Sequence, residues 1–128
     1  MPNPFEPIWA IRATTSTGSV RAAQVTGLRC LQSTWHTIVV EEGFATTDGT
    51  LGISATGELG RAILTRLLER IPDGTWELVT HPGYNDADLA RVRTRLRASR
   101  DIEREALLLI REFPAVHLIP FSKLVPDH

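Results

Sequence analysis

Hydrophobic and polar positions follow two rhythms along this chain, and the switches between them predict its elements. Ile8-Trp9-Ala10-Ile11-Arg12 is a short apolar run after three early prolines and before the polar residues Thr14 to Ser19, with Gly18 among them. It reads as a buried strand. Ser19 stands where it would cap the next helix. Val20, Ala23, Gly27, Leu31, Trp35 and Ile38 then fall three or four apart, a helical stripe. The β-branched residues Thr37 to Val40 favour strand near its end, and Gly43 is placed as a C-cap. Phe44 to Asp48 predicts a second strand, followed by a loop through Gly49, Gly52 and Gly57. Leu59, Ile63, Leu67 and Ile71, with Leu64 and Leu68 beside them, predict an amphipathic helix whose Arg61, Arg66, Glu69 and Arg70 lie on the solvated side.

The most informative stretch is Trp76 to Asp86. Trp76 and Leu78 alternate with Glu77, Val79 and His81, so one strand face is apolar and the other carries two groups able to move protons. Pro82 removes an N–H and fixes φ, and Gly83 permits a sharp turn; together they end the strand. Asn85 and Asp86 supply oxygens for a helix start. A long helix through Leu89, Val92, Leu96, Ala106, Leu107 and Ile110 follows and stops at Pro114. Val116 to Phe121 predicts a last strand, and Ser122 to His128 a short closing tail. Strand and helix thus alternate three times before a final strand, which implies one α/β domain over residues 1–128, with four parallel strands and three helices.

Composition narrows the function classes. A chain of 128 residues suits one domain. Lys+Arg 14 against Asp+Glu 15 leaves a net charge of −1, which gives no electrostatic case for nucleic acid. The arginines at 91, 93, 95, 97, 100 and 104 are interleaved with acids at 86, 88, 101, 103 and 105, the pattern of a salt-bridged surface. Cys30, the single cysteine, excludes an intrachain disulfide and is expected as a small core residue in a reducing compartment. No apolar run is long enough for a membrane span, and residues 1–7 have neither a basic nor an apolar signal region, so a cytoplasmic location is expected.

In a parallel sheet the carboxyl ends of the strands share one rim, where α/β proteins place their chemistry. The expected rim residues are Arg12, Asp48, His81 and Ser122, with Glu77 on the face of His81. A cation, a carboxylate and an imidazole there suit hydrolysis of a polar substrate. Spacing alone leaves His81 two roles, turn residue or proton carrier. His36, His117 and His128 are isolated, with no i,i+4 pair, so the chain has no metal-ligand pattern of its own. It also lacks a Walker loop, a GxGxxG and a GxSxG.

Three stretches bear a family likeness: Thr46-Thr47-Asp48-Gly49-Thr50-Leu51-Gly52-Ile53, Gly74-Thr75-Trp76-Glu77-Leu78-Val79-Thr80-His81-Pro82-Gly83-Tyr84, and Ser99-Arg100-Asp101-Ile102-Glu103-Arg104-Glu105-Ala106-Leu107. From about Ile8 to Leu124 the chain resembles the carboxyl-terminal half of the YdjC-like (ChbG/HpnK) carbohydrate deacetylases, in the order of the glutamate, the His-Pro-Gly turn and the later Arg-x-x-Glu. The resemblance implies half of a TIM-like (β/α) barrel and hydrolysis of N-acetyl groups from amino sugars or oligosaccharides. It also implies a divalent metal, zinc or magnesium. The family's metal ligands, an aspartate of an Asp-Asp motif and two histidines, lie upstream of the matched region and have no counterpart here. Carried over are His81 as the catalytic residue on the His-Pro-Gly position, a proton donor to the leaving amine, and Arg12, Asp48 and Glu77 as substrate-binding neighbours.

Two further readings compete with a partial deacetylase. One is a non-catalytic sugar-binding module, the other a scaffold whose charged helix binds a protein. A half-barrel leaves open sheet edges and an apolar concave face, expected to include Ile8, Ala10, Val79 and Ile119. The expected assembly is therefore a homodimer or a complex with a missing amino-terminal half.

Overall fold

Residues 1–14 and 20–125 are described by the computed structural model. Ser19, Gly18 and the end of the tail, including His128, lie outside the described residues. The described chain holds five α-helices, α1 (Ile8–Thr14), α2 (Val20–Leu28), α3 (Gln32–Glu41), α4 (Arg61–Leu68) and α5 (Ser99–Leu107). Two strands, β1 (Gly49–Leu51) and β2 (Trp76–Leu78), pair in parallel with Gly49 opposite Trp76 and Leu51 opposite Leu78.

This corrects the expected fold of four parallel strands alternating with three helices, the half-barrel: among the described residues only two strands form. The run from Ile8 to Arg12 is helix α1. Pro7 stands just before its first turn and its carbonyl accepts the N–H groups of Ala10 and Ile11. Ala10, Ile11, Ala13 and Thr14 are buried, a helical spacing that five residues were too few to separate from a strand. Strand pairing near residue 48 falls at Gly49–Leu51 and not at Phe44–Asp48. The indole of Trp76 lies so close over Gly49 that a Cβ there would meet it at 2.8 Å, so the pairing begins where the side chain is missing.

The segment from Asp86 to Ala98 is mostly not helical. Asp86 Oδ1 accepts the N–H groups of Asp88 and Leu89, and Thr94 Oγ1 accepts that of Leu96. Such local side-chain bonds compete with helix propagation. A single 3₁₀ turn, Leu89–Arg91, forms before α5. Val116–Phe121 is no strand either: Val116 closes a turn on Phe113, and Phe121–Lys123 is a 3₁₀ turn.

The helix expected from Val20 to Ile38 forms but is divided into α2 and α3 by a 3₁₀ turn at Arg29–Leu31. Its buried residues are Val25 and Val39, whereas Val20, Leu31 and Ile38 of the expected inner stripe are exposed. Cys30, expected in the core, is exposed. Gly43 does end α3, with φ of 71° and its N–H on the Val40 carbonyl. The helix read from Leu59 to Ile71 is α4, and Leu59, Leu64, Leu67 and Leu68 are buried as expected. They pack with Ala10 and Ala13 of α1, Leu51 of β1, and Ala106, Leu109 and Ile110 around the end of α5.

The amino-terminal segment lines the outer edge of β1. The Phe5 carbonyl accepts the Thr50 N–H, the Asn3 carbonyl accepts the Thr50 hydroxyl, and Asn3 Nδ2 donates to the Thr47 carbonyl. Glu6, wholly buried, accepts the N–H groups of Gly52 (2.7 Å) and Ser54 (2.8 Å) in the loop after β1. On the other side of the sheet an open, mainly apolar groove of about 840 Å³ separates β2 from residues 113–121. Of the residues expected on the concave face of a half-barrel, Val79 and Ile119 line this groove instead, Ala10 is in the core and Ile8 is exposed. No helix among the described residues is long and apolar enough to cross a membrane.

Candidate functional site

The candidate site is the His-Pro-Gly-Tyr turn after β2 and the helix α5 packed on it. Ladder bonding ends with Val79, whose N–H donates to the Leu51 carbonyl. The chain then meets α5, where the Gly83 N–H donates to the Arg100 carbonyl at 3.2 Å. Gly83 has no side chain, and the Arg100 stem lies across it with Cδ 3.2 Å from where a Cβ would sit. The turn and the first turn of α5 are thereby held in contact.

Glu103 anchors this contact. Its side chain is 1% exposed, on the face of α5 that also buries Ser99 and Ala106. One carboxylate oxygen accepts the His81 N–H at 2.6 Å, and the other accepts the Gly57 N–H at 3.2 Å. His81 Nδ1 lies 3.9 Å from Glu103 Oε2, too far for a hydrogen bond, and is buried without a partner. The His81 side chain is 34% exposed, so its open surface lies on the other ring atoms. One edge of the imidazole thus lies against a buried carboxylate and the other is open.

The other candidates lie elsewhere. Asp48 precedes β1, and its Oδ2 accepts the Thr75 N–H at 2.7 Å, ahead of β2. It therefore sits at the amino end of the two strands, opposite the end that carries His81; the shift of β1 by a few residues moved it. The Glu77 carboxylate accepts the Asn3 N–H (2.6 Å) and the Thr47 hydroxyl (2.8 Å), tying the amino-terminal segment to the sheet. Arg12 is exposed on α1 and not at a strand end. No hydrogen bond or ion pair among the described residues joins any of these three to His81.

Glu103 and Glu6 were missed as site and scaffold residues. For Glu103 a signal existed: Leu96, Ser99, Glu103, Ala106 and Ile110 fall three or four apart, so an acid occupies the inward stripe. For Glu6 there was none, since its partners are loop N–H groups some 46 to 48 residues away.

No group of three or more His, Cys, Asp or Glu side chains that could hold a metal ion exists among the described residues. His81 and Glu103 form only a pair, and both Glu103 oxygens already accept backbone N–H bonds. These residues do not make a metal centre by themselves.

The site is thus a histidine turn after β2 packed on a buried carboxylate of α5. The comparisons make this specific: the family described as YdjC-like protein matches residues 2–111, and the chain belongs to that family. The family is associated with carbohydrate deacetylase-like function. No curated protein and no solved structure matches the chain.

Proposed function

We propose that this chain carries the His81 side of a carbohydrate deacetylase, a hydrolase that removes N-acetyl groups from amino sugars or oligosaccharides. The observation that carries the reading is the His81–Glu103 pair in a YdjC-like chain: a half-open imidazole whose buried edge faces a carboxylate fixed by two backbone N–H groups. In the reaction water adds to the acetyl carbonyl and the C–N bond breaks. His81 donates a proton to the departing amine, and acetate and a free amino sugar leave. Glu103 holds the backbone of His81 in place through its N–H. Arg12, Asp48 and Glu77 enter as contacts further along an extended oligosaccharide, since none of them touches His81.

The chain acts in this reading with a second polypeptide, the homodimer partner or the amino-terminal half that the resemblance implies. The groove between β2 and residues 113–121 supports an assembled state, because it leaves Leu118 77% exposed and Phe121 52% exposed. The second reading is a non-catalytic sugar-binding module.

Acetate release from acetylated chitooligosaccharides, measured with the chain alone and with an added upstream half, separates the two readings. In an active complex His81→Ala should lower turnover by about 100-fold or more, the scale of general acid catalysis, with the circular dichroism spectrum unchanged. Unchanged turnover reduces His81 to a turn residue. Sugar binding without acetate release in any combination supports the module.

A further inference from the structure

The loop that leads into α5 carries cations that its neighbouring acids do not neutralise. The interleaved charges from Asp86 to Glu105 predict a salt-bridged surface, yet only one pair forms in the loop, Arg91 with Asp88 at 3.9 Å. Those two side chains are 82% and 90% exposed, where a pair contributes little. Arg93, Arg95 and Arg97 make no ion pair among the described residues, and all four arginines are exposed. The acids are engaged elsewhere. Asp86 accepts the N–H groups of Asp88 and Leu89, Asp101 and Glu105 pair with Arg104, and Glu103 is turned inward to Gly57 and His81. Residues 89–98 thus hold four arginines and no acid, leaving ten basic against 15 acidic residues in the rest of the chain.

The local fold gathers this charge. On a continuous helix, arginines two residues apart would fall about 200° from one another and alternate between opposite sides. Instead the 3₁₀ turn Leu89–Arg91 gives way to extended backbone at Val92, with φ −92° and ψ 127°. Thr94 and Leu96 are half-buried between the exposed arginines. Leu96 fills the space beside Gly57, its Cδ2 2.7 Å from where a Cβ would sit, and Arg97 donates to the Ala90 carbonyl at 3.4 Å across the loop. The loop is therefore fastened at its base with its cations turned outward. Like charges gathered without an internal counter-charge repel one another, and an external anion relieves that.

The surface also selects the kind of anion. None of the four arginines lines the groove beside β2, and side chains this exposed suit an extended partner better than a small enclosed one. Residues 85–98 contain no aromatic side chain on which bases would stack, which disfavours single-stranded nucleic acid. Val92, 54% exposed, sets an apolar side chain between Arg91 and Arg93. Cations around an aliphatic group fit a phospholipid surface, where headgroup phosphates meet the guanidinium groups and the aliphatic group meets the acyl boundary. We propose that the loop of residues 89–98 docks the chain on an anionic membrane surface through Arg91, Arg93, Arg95, Arg97 and Val92. The docking is peripheral and independent of the chemistry at His81.

Flotation of the whole chain with phosphatidylcholine vesicles, with and without phosphatidylglycerol, tests this. Each arginine near an anionic surface raises partitioning about fivefold, so the loop should favour the anionic vesicles by about 100-fold or more at low ionic strength. High salt should remove most of that preference. The double variant Arg93→Gln/Arg95→Gln should lose about 30-fold, and Val92→Ser a few-fold. Arg70→Gln/Arg111→Gln, which changes net charge equally at exposed positions outside the loop, should lose less than about threefold. Equal partitioning to both vesicles, or none to either, overturns the proposal. So does an equal loss in the two double variants, because net charge and not the loop would then decide. A single-stranded oligonucleotide is titrated alongside by fluorescence anisotropy, and binding to it without binding to vesicles gives the loop to nucleic acid and refutes the membrane. If the loop double variant fails to fold, Arg93→Gln alone, expected to lose about fivefold, decides.

Discussion

Replacing Glu103 by alanine isolates the physics of the turn. The side chain is 1% exposed and accepts backbone N–H groups of Gly57 and His81, at 3.2 Å and 2.6 Å. Alanine would leave both donors facing an apolar gap. Each unsatisfied N–H costs about 1–3 kcal/mol, the larger end applying to the short bond to an ionised acceptor. The removed carboxyethyl group also leaves a void beside Ser99 and Ala106. A loss of about 3–5 kcal/mol follows, a large share of the roughly 5–15 kcal/mol by which a domain is stable. Glu103→Gln keeps the shape but offers one oxygen where two donors converge, and should lose about 1–3 kcal/mol. Glu105→Ala, on the exposed side of the same helix, is the control and should lose no more than about 0.5 kcal/mol. Urea unfolding followed by tryptophan fluorescence measures all three. Equal losses at 103 and 105, or a loss under about 1 kcal/mol for Glu103→Ala, would refute the view that this carboxylate holds the turn to α5.

Three further outcomes are expected. Trp76→Ala should cost about 2–3 kcal/mol, less than for a fully buried aromatic, because the indole is half-buried yet packs edge-to-face on Trp9 at 5.8 Å and donates to the Pro72 carbonyl; thermal melts would detect a smaller effect. Gly52→Ala should destabilise by about 1–3 kcal/mol, since φ is +91° and a Cβ would meet the Val79 carbonyl oxygen at 2.8 Å; a neutral result in the same melts would mean that the loop after β1 relaxes freely. Sedimentation at micromolar concentration should show a species heavier than 14.2 kDa, and a monomer would mean that the groove beside β2 is tolerated in water.

Where a signal is local, the sequence carried it. The apolar residues from Leu59 to Ile71 repeat at helical spacing, and a stripe that long has one reading. Gly43 ends α3 because a left-handed residue is needed there and glycine has no Cβ to object. Trp76 to Leu78 is a strand as expected, but it ends before Thr80 and His81, ahead of Pro82-Gly83. The three family stretches were likewise legible, and with them the YdjC-like membership. The role of His81 rests on the same residues and awaits the assay.

Tertiary structure decided what short runs left degenerate. Ile8 to Arg12 and Val116 to Phe121 satisfy a strand pattern, but a strand exists only where a neighbour offers its N–H and C=O groups. α1 satisfies its own, and residues 116–121 face a groove. The start of β1 was set by a contact some 27 residues away, the Trp76 ring over Gly49, and that displacement put Asp48 at the opposite end of the sheet from His81. Whether an acid on a helix is a solvated charge or a keystone is likewise settled by what packs against it. Glu103 and Glu105 lie in the same sequence of mixed charges, and only the approach of the His81 turn and the Gly57 loop made one of them buried, because an isolated carboxylate leaves water only when N–H donors replace its hydration.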